Sequence, residues 1–143
     1  MPSPARLGRL CRLRTRLREQ AAAELARCAA RVTAIDRDLV AVRRAEDAAR
    51  ARAVQGGESG AAVVSAWAYA DGLARRAGAL FEDRGRAVTS AEGARETLRE
   101  RWRQEEQLAR LTARLAARAD ETAAREYART LDELAIRSHG RTS

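Results

Sequence analysis

Apolar residues recur at every third or fourth position through almost the whole chain, which is the spacing of one face of a helix. The pattern breaks clearly at one segment, Gly56-Gly57-Glu58-Ser59-Gly60. No proline follows Pro4, so no other position carries a strong helix breaker. The sequence therefore predicts an all-α fold, a two-helix antiparallel coiled-coil hairpin with a longer C-terminal helix, as a single domain over residues 1–143.

The first helix is expected at about residues 5–54, the tip at 55–61 and the second helix at about 62–137. Threes and fours alternate along the apolar face of the first helix, except for two consecutive fours near Ala21 that indicate a stutter. The members of this face are Leu10, Leu13, Leu17, Ala21, Leu25, Cys28, Val32, Ile35, Leu39 and Val42.

The second helix presents one long apolar face. Its members are Val63, Trp67, Ala70, Ala74, Ala77, Leu80 or Phe81, Val88, Ala91, Leu98, Trp102 and Leu108. In an antiparallel hairpin turning near residue 58, facing residue numbers total about 116. Ile35 is then expected near Phe81, and Leu13 near Trp102. The glycines of this helix (Gly72, Gly78, Gly85 and Gly93) are expected to allow close approach of two alanine-rich backbones, with a flexible zone as the alternative.

The two predicted arms are unequal, so the end of the second helix has no partner in the chain. The first helix runs out opposite residue 111, which leaves residues 112–137, about 39 Å of helix at 1.5 Å per residue. Apolar residues continue there at spacings of mostly four, which predicts a nearly straight stripe. The stripe consists of Leu111, Leu115, Ala119, Ala123, Tyr127, Leu131 and Leu134. We expect it to make an intermolecular contact, with a frayed tail as the alternative.

Charge is concentrated at the start of the chain. The net charge is +8, and six arginines precede the first acid, Glu19: Arg6, Arg9, Arg12, Arg14, Arg16 and Arg18. The rest of the chain is nearly neutral, which indicates a locally basic end and argues against a long duplex-binding rod. Binding of nucleic acid or an anionic membrane through this segment stays an alternative.

Enzyme chemistry requires converging side chains, and the sequence supplies none. His139 is the only histidine, no glycine loop of the nucleotide-binding type occurs, and the adjacent acid pairs such as Glu105-Glu106 lie beside arginines. We expect no catalytic, cofactor-binding or metal-binding residue and no enzyme activity. Cys11 and Cys28 are expected as reduced fillers in the cytosol, and no apolar run reaches the roughly 20 residues that span a bilayer.

Two segments carry a resemblance to a known family. Residues 63–73, Val-Val-Ser-Ala-Trp-Ala-Tyr-Ala-Asp-Gly-Leu, place a tryptophan and a tyrosine just after the turn, and residues 127–135, Tyr-Ala-Arg-Thr-Leu-Asp-Glu-Leu-Ala, precede a basic tail. Together with the unequal hairpin, they resemble the FliJ family of the flagellar protein export apparatus and its YscO-type injectisome counterparts. The chain differs before the tip, where Arg43, Arg44, Ala45 and Ala49 replace polar and aromatic residues that the family often shows.

The resemblance implies a stalk or adaptor that couples a hexameric export ATPase to the membrane export gate and assists in handling export chaperones. It implies a cytoplasmic protein associated peripherally with the inner-membrane export apparatus. No cofactor, nucleic acid or small-molecule substrate is expected. The alternatives are a stalk of a virulence injectisome, the basic nucleic-acid or membrane module, and a homodimer or four-helix assembly in which two hairpins cover each other's overhang.

Two ends of the hairpin are expected to bind different partners. The residues expected to contact the ATPase are Arg6, Arg9, Arg12, Arg16, Leu115, Tyr127, Leu131 and Leu134. The residues expected to face the export gate are Leu39, Val42, Trp67, Leu73, Ala77 and Leu80.

Overall fold

A computed structural model describes residues 3–55 and 59–141. It contains two α-helices, α1 at Pro4–Gln55 and α2 at Gly60–Gly140, of 52 and 81 residues. The described part of the chain has no strand, and the two helices pack against each other. The prediction of an all-α helical hairpin is confirmed. Residues 56–58 of the predicted tip lie outside the described residues.

A serine caps the start of each helix. Ser3 Oγ accepts a hydrogen bond from the Arg6 backbone N–H at 3.3 Å, and Pro4 takes the first helical position, where its missing N–H does least harm. Ser59 accepts from the Ala62 N–H through its Oγ at 3.4 Å and from the Val63 N–H through its carbonyl at 3.1 Å. The Ser59 cap explains why α2 begins at Gly60, ahead of the expected residue 62.

The chain divides into two compact units, Met1–Leu17 with Arg101–Ser143 as the first and Arg18–Glu100 as the second. Each contains a part of both helices.

The second unit has the apolar core. Ile35 and Leu39 of α1 are buried against Ala87 of α2, and Val32, Ala77 and Leu80 pack around them. Large side chains of α1 therefore meet small ones of α2. The members of the predicted α1 face that lie in this unit, from Ala21 to Val42, are all buried or half-buried, which confirms this part of the face. An ion pair between Asp36 Oδ1 and Arg84 Nε, 2.5 Å apart, joins the two helices beside the core.

The first unit has a different and more polar interface. Leu7 is buried, while Leu10 and Leu13 are 44% and 51% exposed, so the expected face is wrong at this end of α1. Half-buried Cys11 and Arg14 continue the inward face from Leu7 at spacings of four and three. Sequence reasoning chose the leucines because they are apolar. The predicted stutter near Ala21 does not occur on this face. Its inward positions are Arg14, half-buried Arg18 and Ala21, which keep the alternating spacings of four and three.

Polar side chains of the first unit satisfy one another across the helix pair. Arg14 Nη1 donates to Gln104 Oε1 at 2.5 Å, and Thr15 Oγ1 donates to Glu105 Oε1 at 3.0 Å. Cys11 Sγ lies 3.8 Å from Thr112 Oγ1. Each of these partly buried polar groups has a partner, which offsets the cost of burying it. Polar side chains can therefore fill this part of the helix interface, whereas apolar side chains fill it in the second unit.

The pairing register differs from the expected one. In the side-chain pairs that join α1 to α2, the two residue numbers of each pair add up to between 118 and 123. The sequence predicts a sum of about 116. Trp102 is 54% exposed, so its expected inward position is wrong, and of the alternatives Leu80 and Phe81 the inward residue is not Phe81, which is 62% exposed. Leu80 and Arg101 are half-buried in their place. The unpartnered part of α2 therefore begins after half-buried Leu115, not at Thr112.

The glycines of α2 are not sites of close packing. A Cβ built on Gly72, Gly78, Gly85 or Gly93 would meet no atom of another side chain or of the other helix within 4 Å. The expectation of close backbone approach is therefore wrong, and the helix carries four glycines that no packing contact requires.

Candidate interaction surfaces

Several carboxylates of the described residues lie in surface ion pairs or at the helix interface. Within one helix, the acid and arginine of each pair are three or four residues apart, as in Glu46 with Arg50 at 2.7 Å and Glu106 with Arg110 at 2.6 Å. Such pairs contribute a few tenths of a kcal/mol each to helix stability. In the described residues no three His, Cys, Asp or Glu side chains are grouped to hold a metal ion.

One surface carboxylate has a shifted pKa. Glu24 Oε2 accepts a hydrogen bond from Arg27 Nε at 3.0 Å, and this bond, with the positive charge of the guanidinium, lowers the pKa of Glu24 below its ordinary value of 4.5. The Cys28 thiol lies 3.7 Å from the other oxygen of the carboxylate. The Glu24 side chain is about half exposed, so this ion pair lies at the surface of α1.

The arginines expected to contact an ATPase form an exposed cluster at the start of α1. Arg6, Arg9, Arg12 and Arg16 are all exposed, and none of their guanidinium groups forms an ion pair or hydrogen bond with another described residue. Their positive charge is therefore uncompensated within the described chain.

A mostly apolar groove lies beside this cluster in the first unit. It has a volume of about 480 Å³ and is lined by Leu7 and Cys11 of α1 and by Leu115 and Ala119 of α2, among others. Leu115 is half-buried in this groove. Beyond Leu115, α2 extends past the N-terminal end of α1. The groove leads from the helix pair to the unpartnered part of α2.

Residues 116–140 of α2 are exposed throughout, and three large apolar residues of the predicted stripe lie among them. Tyr127, Leu131 and Leu134 are all exposed and follow one another at spacings of four and three, so they share one helix face. Ile136 is also exposed but lies about 160° around the helix from that face. The first unit thus contains both the basic cluster and the tail stripe, and their role in binding an ATPase stays a prediction.

Most of the residues expected to face the export gate lie in the interface between α1 and α2, which we call the seam. Leu39 and Val42 are buried, and Ala77 and Leu80 pack against the core of the second unit. Leu73 and Trp67 differ in exposure: Leu73 is half-buried and Trp67 is 41% exposed. Of the six, Trp67 offers the largest exposed apolar surface, and the gate role of all six stays a prediction.

Sequence reasoning missed an exposed aromatic edge beside that seam. Trp67, Ala74, Phe81 and Val88 are seven residues apart, which places them along one side of α2. Trp67 and Phe81, which are two heptads apart along α2, are both exposed. The seven-residue spacing was the available signal. Trp67 was expected to face the gate, but Phe81 was placed on the buried face as the alternative to Leu80, so the two aromatics were not grouped.

The comparisons with known proteins decide the family. A family model described as Flagellar FliJ protein matches residues 3–143. The chain belongs to the FliJ family. It is thus a flagellar export-related protein, and the family is a non-catalytic component of that export system. No curated protein and no solved structure matches the chain.

Membership of the FliJ family directs attention to surfaces. None of the helices in the described residues has the length and apolar character needed to cross a bilayer. For this FliJ-family chain, the candidate surfaces are the basic cluster with the tail stripe in the first unit and the aromatic edge in the second.

Proposed function

We propose that this FliJ-family chain is a stalk or adaptor that couples a hexameric export ATPase to the membrane export gate and assists in handling export chaperones. One observation carries the proposal: α2 continues as an exposed helix over residues 116–140, with an apolar stripe beside an uncompensated cluster of arginines. A helix that stays unpartnered in its own chain is suited to an external partner.

The two parts of this end would act differently in binding the ATPase. The exposed arginines Arg6, Arg9, Arg12 and Arg16 attract an acidic surface at long range and raise the association rate in a salt-dependent way. Tyr127, Leu131 and Leu134, with Leu115 at the groove, supply apolar area whose burial determines the dissociation rate.

The gate contact would be made by the aromatic edge of the second unit. Trp67 and Phe81 are large, exposed and on one side of α2, which is the composition of a binding hot spot. Leu39, Val42, Ala77 and Leu80 would support this edge from within the seam, because removing them would disturb the helix pair that holds it.

A pull-down with the export ATPase of the same organism tests the proposal. Burying one leucine contributes about 1.5–3 kcal/mol, so we expect Leu131→Ser combined with Leu134→Ser to weaken ATPase association at least tenfold. Ile136→Ser is the matched control, because it removes a similar apolar surface on the opposite helix face and should leave association unchanged. Equal association of wild type, the double variant and the control would overturn the assignment of this end.

A second candidate function rests on the same uncompensated arginines. A basic coiled coil that binds nucleic acid or anionic lipid would lose affinity steeply with salt, because each neutralised phosphate releases counterions. Binding of duplex DNA or anionic vesicles that disappears in Arg9→Gln with Arg16→Gln, without any ATPase association, would favour this function over the stalk.

A further inference from the structure

The exposed leucines of the first unit form a surface of their own. Leu10 and Leu13, assigned by their apolarity to the helix interface, are about half exposed, and Leu111 of α2 is 42% exposed. With Arg6 and Arg9, Leu10 and Leu13 line a shallow hollow of about 360 Å³. We call Leu10, Leu13 and Leu111 the leucine edge.

The seam places leucines of both helices on the same side of the pair. Leu10 immediately precedes Cys11, and Leu111 immediately precedes Thr112, while Cys11 Sγ and Thr112 Oγ1 are 3.8 Å apart. In an antiparallel helix pair, residues that immediately precede facing seam positions flank the same border of the seam. The leucine edge therefore runs along the furrow between α1 and α2, where a third helix would pack.

Four arginines near the leucine edge, two on each helix, have no partner among the described residues. Arg6 and Arg9 line the hollow, and Arg114 and Arg118 follow Leu111 by three and seven residues, on its side of α2. None of these four guanidinium groups forms an ion pair or hydrogen bond with another described residue. A ligand that covers the leucines thus meets uncompensated positive charge on both helices.

We propose that the leucine edge binds an amphipathic helix whose apolar stripe is flanked by acidic residues. This helix packs as a third helix against α1 and α2. The inference rests on the proposed function in that the export ATPase would present this helix. An apolar stripe fills the furrow, and carboxylates on both sides of the stripe reach the arginines of α1 and of α2.

A second copy of this chain fits the furrow less well. The exposed tail of α2 and the residues that follow it, 116–143, carry five arginines and five acids, so they bring no net negative charge to four uncompensated arginines. A membrane surface also fits less well, since it is flat, whereas the leucines line a furrow between two helices.

A pair of synthetic peptides provides the test on the full chain. Both have three heptads with leucine at the two seam positions; one has glutamate and the other lysine at the flanking positions. Fluorescence anisotropy should show binding of the glutamate peptide that weakens with salt, and no binding of the lysine peptide. Equal binding of both peptides, or of neither, would overturn the proposal.

Matched variants locate the contact. Leu10→Ser with Leu13→Ser should weaken binding of the glutamate peptide at least tenfold, and Arg9→Gln with Arg114→Gln should reduce its salt dependence. Ile136→Ser removes an exposed apolar side chain of the same unit outside the edge, and should leave binding unchanged. Because Leu10, Leu13 and Ile136 are all exposed, circular dichroism is expected to show the same helix content for each variant.

The remaining outcomes separate this inference from the proposed function. If the ATPase binds the chain but the glutamate peptide does not, the leucine edge is wrong and the stalk function stands. If the peptide binds through Leu10 and Leu13 but the ATPase does not associate, the edge stands and its partner is another protein. Leucine-dependent sedimentation with vesicles of equal parts phosphatidylglycerol and phosphatidylcholine, without peptide binding, would assign the edge to membrane and overturn the proposal.

Discussion

Replacing glycines of α2 by alanine tests how much these glycines lower the stability of the helix. Gly72, Gly78, Gly85 and Gly93 are all inside α2, and a Cβ at each would meet nothing within 4 Å outside the local helix backbone. Alanine is favoured over glycine in a helix interior by about 1 kcal/mol, since glycine loses more backbone entropy on folding. With no steric term to oppose this gain, each substitution should stabilise the chain by about 1 kcal/mol.

The substitutions should be nearly additive. Successive glycines are six to eight residues apart, which is about 9–12 Å along the helix, and sites at such distances with no shared partners behave independently. The quadruple variant should therefore gain about 3–4 kcal/mol in the free energy of unfolding. Two of the sites carry an additional contact, because Thr89 and Thr97 donate to the Gly85 and Gly93 carbonyls at 3.0 and 3.1 Å.

Gly78→Ala is the cleanest single test, measured by urea unfolding followed by circular dichroism. The midpoint should rise while the slope stays constant, since the surface exposed on unfolding does not change. Ala79→Gly is the control at an exposed neighbouring position and should lower stability by about 1 kcal/mol. A Gly78→Ala variant that is less stable than wild type would refute the reasoning, because it would show an unfavourable contact or a bend at Gly78.

The same variants address function. If the glycines serve a flexible zone, the quadruple variant should support less flagellar export while its association with the proposed ATPase partner is unchanged. Wild-type motility of a strain that carries the stabilised quadruple variant would show that the export system does not require these glycines.

Further outcomes test the register, the surface charge and the polar interface. Ile35→Ala should cost about 2–5 kcal/mol by opening the core, whereas Phe81→Ala should cost little because Phe81 is largely exposed; the reverse order in urea unfolding would restore the expected register. The pKa of Glu24, followed by NMR, should lie below 4.5 and rise in Arg27→Gln. Since the folded-state pKa is the lower one, the ionised form stabilises the fold, and this stabilisation is lost as pH falls below about 4.5; an unchanged pKa in Arg27→Gln would contradict the pairing. Arg14→Ala should cost about 1 kcal/mol in urea unfolding through its lost hydrogen bond, and a stabilising effect would show that Arg14 is tolerated but not used.

The sequence predicts the two helices because period and breaker residues are local properties. The α1 face from Ala21 to Val42 was predictable for the same reason, since apolar residues occupy one stripe there and nothing competes. At the start of α1, two stripes compete, one through Leu10 and Leu13 and one through Leu7 and Arg14. Which of them faces α2 depends on hydrogen-bond partners 90 residues away, such as Gln104, and no local pattern reveals these.

The candidate sites were predictable to different degrees for a related reason. The tail stripe needed only the arm lengths, because residues with no partner opposite them must be exposed. The gate residues needed the rotation of α2 about its own axis, and an error of one residue, about 100°, exchanges Leu80 with Phe81. Apolarity alone ranks both as buried, so the predicted gate residues include Trp67 but are otherwise mostly interface residues and leave out Phe81.

The exposed tail of α2 shows how a chain without a large core keeps an apolar stripe on an ordered helix. An isolated helix of about 25 residues is marginal in water, because its first turn is unfavourable to form. Here that turn already exists: α2 is continuous from Gly60, so residues 116–140 only propagate a helix that is stabilised by packing against α1. Propagation is close to neutral in free energy, and the Glu121–Arg125 ion pair at 2.5 Å favours it slightly. A partner that covers Tyr127, Leu131 and Leu134 therefore gains most of their burial energy, since little of it is spent on ordering the helix.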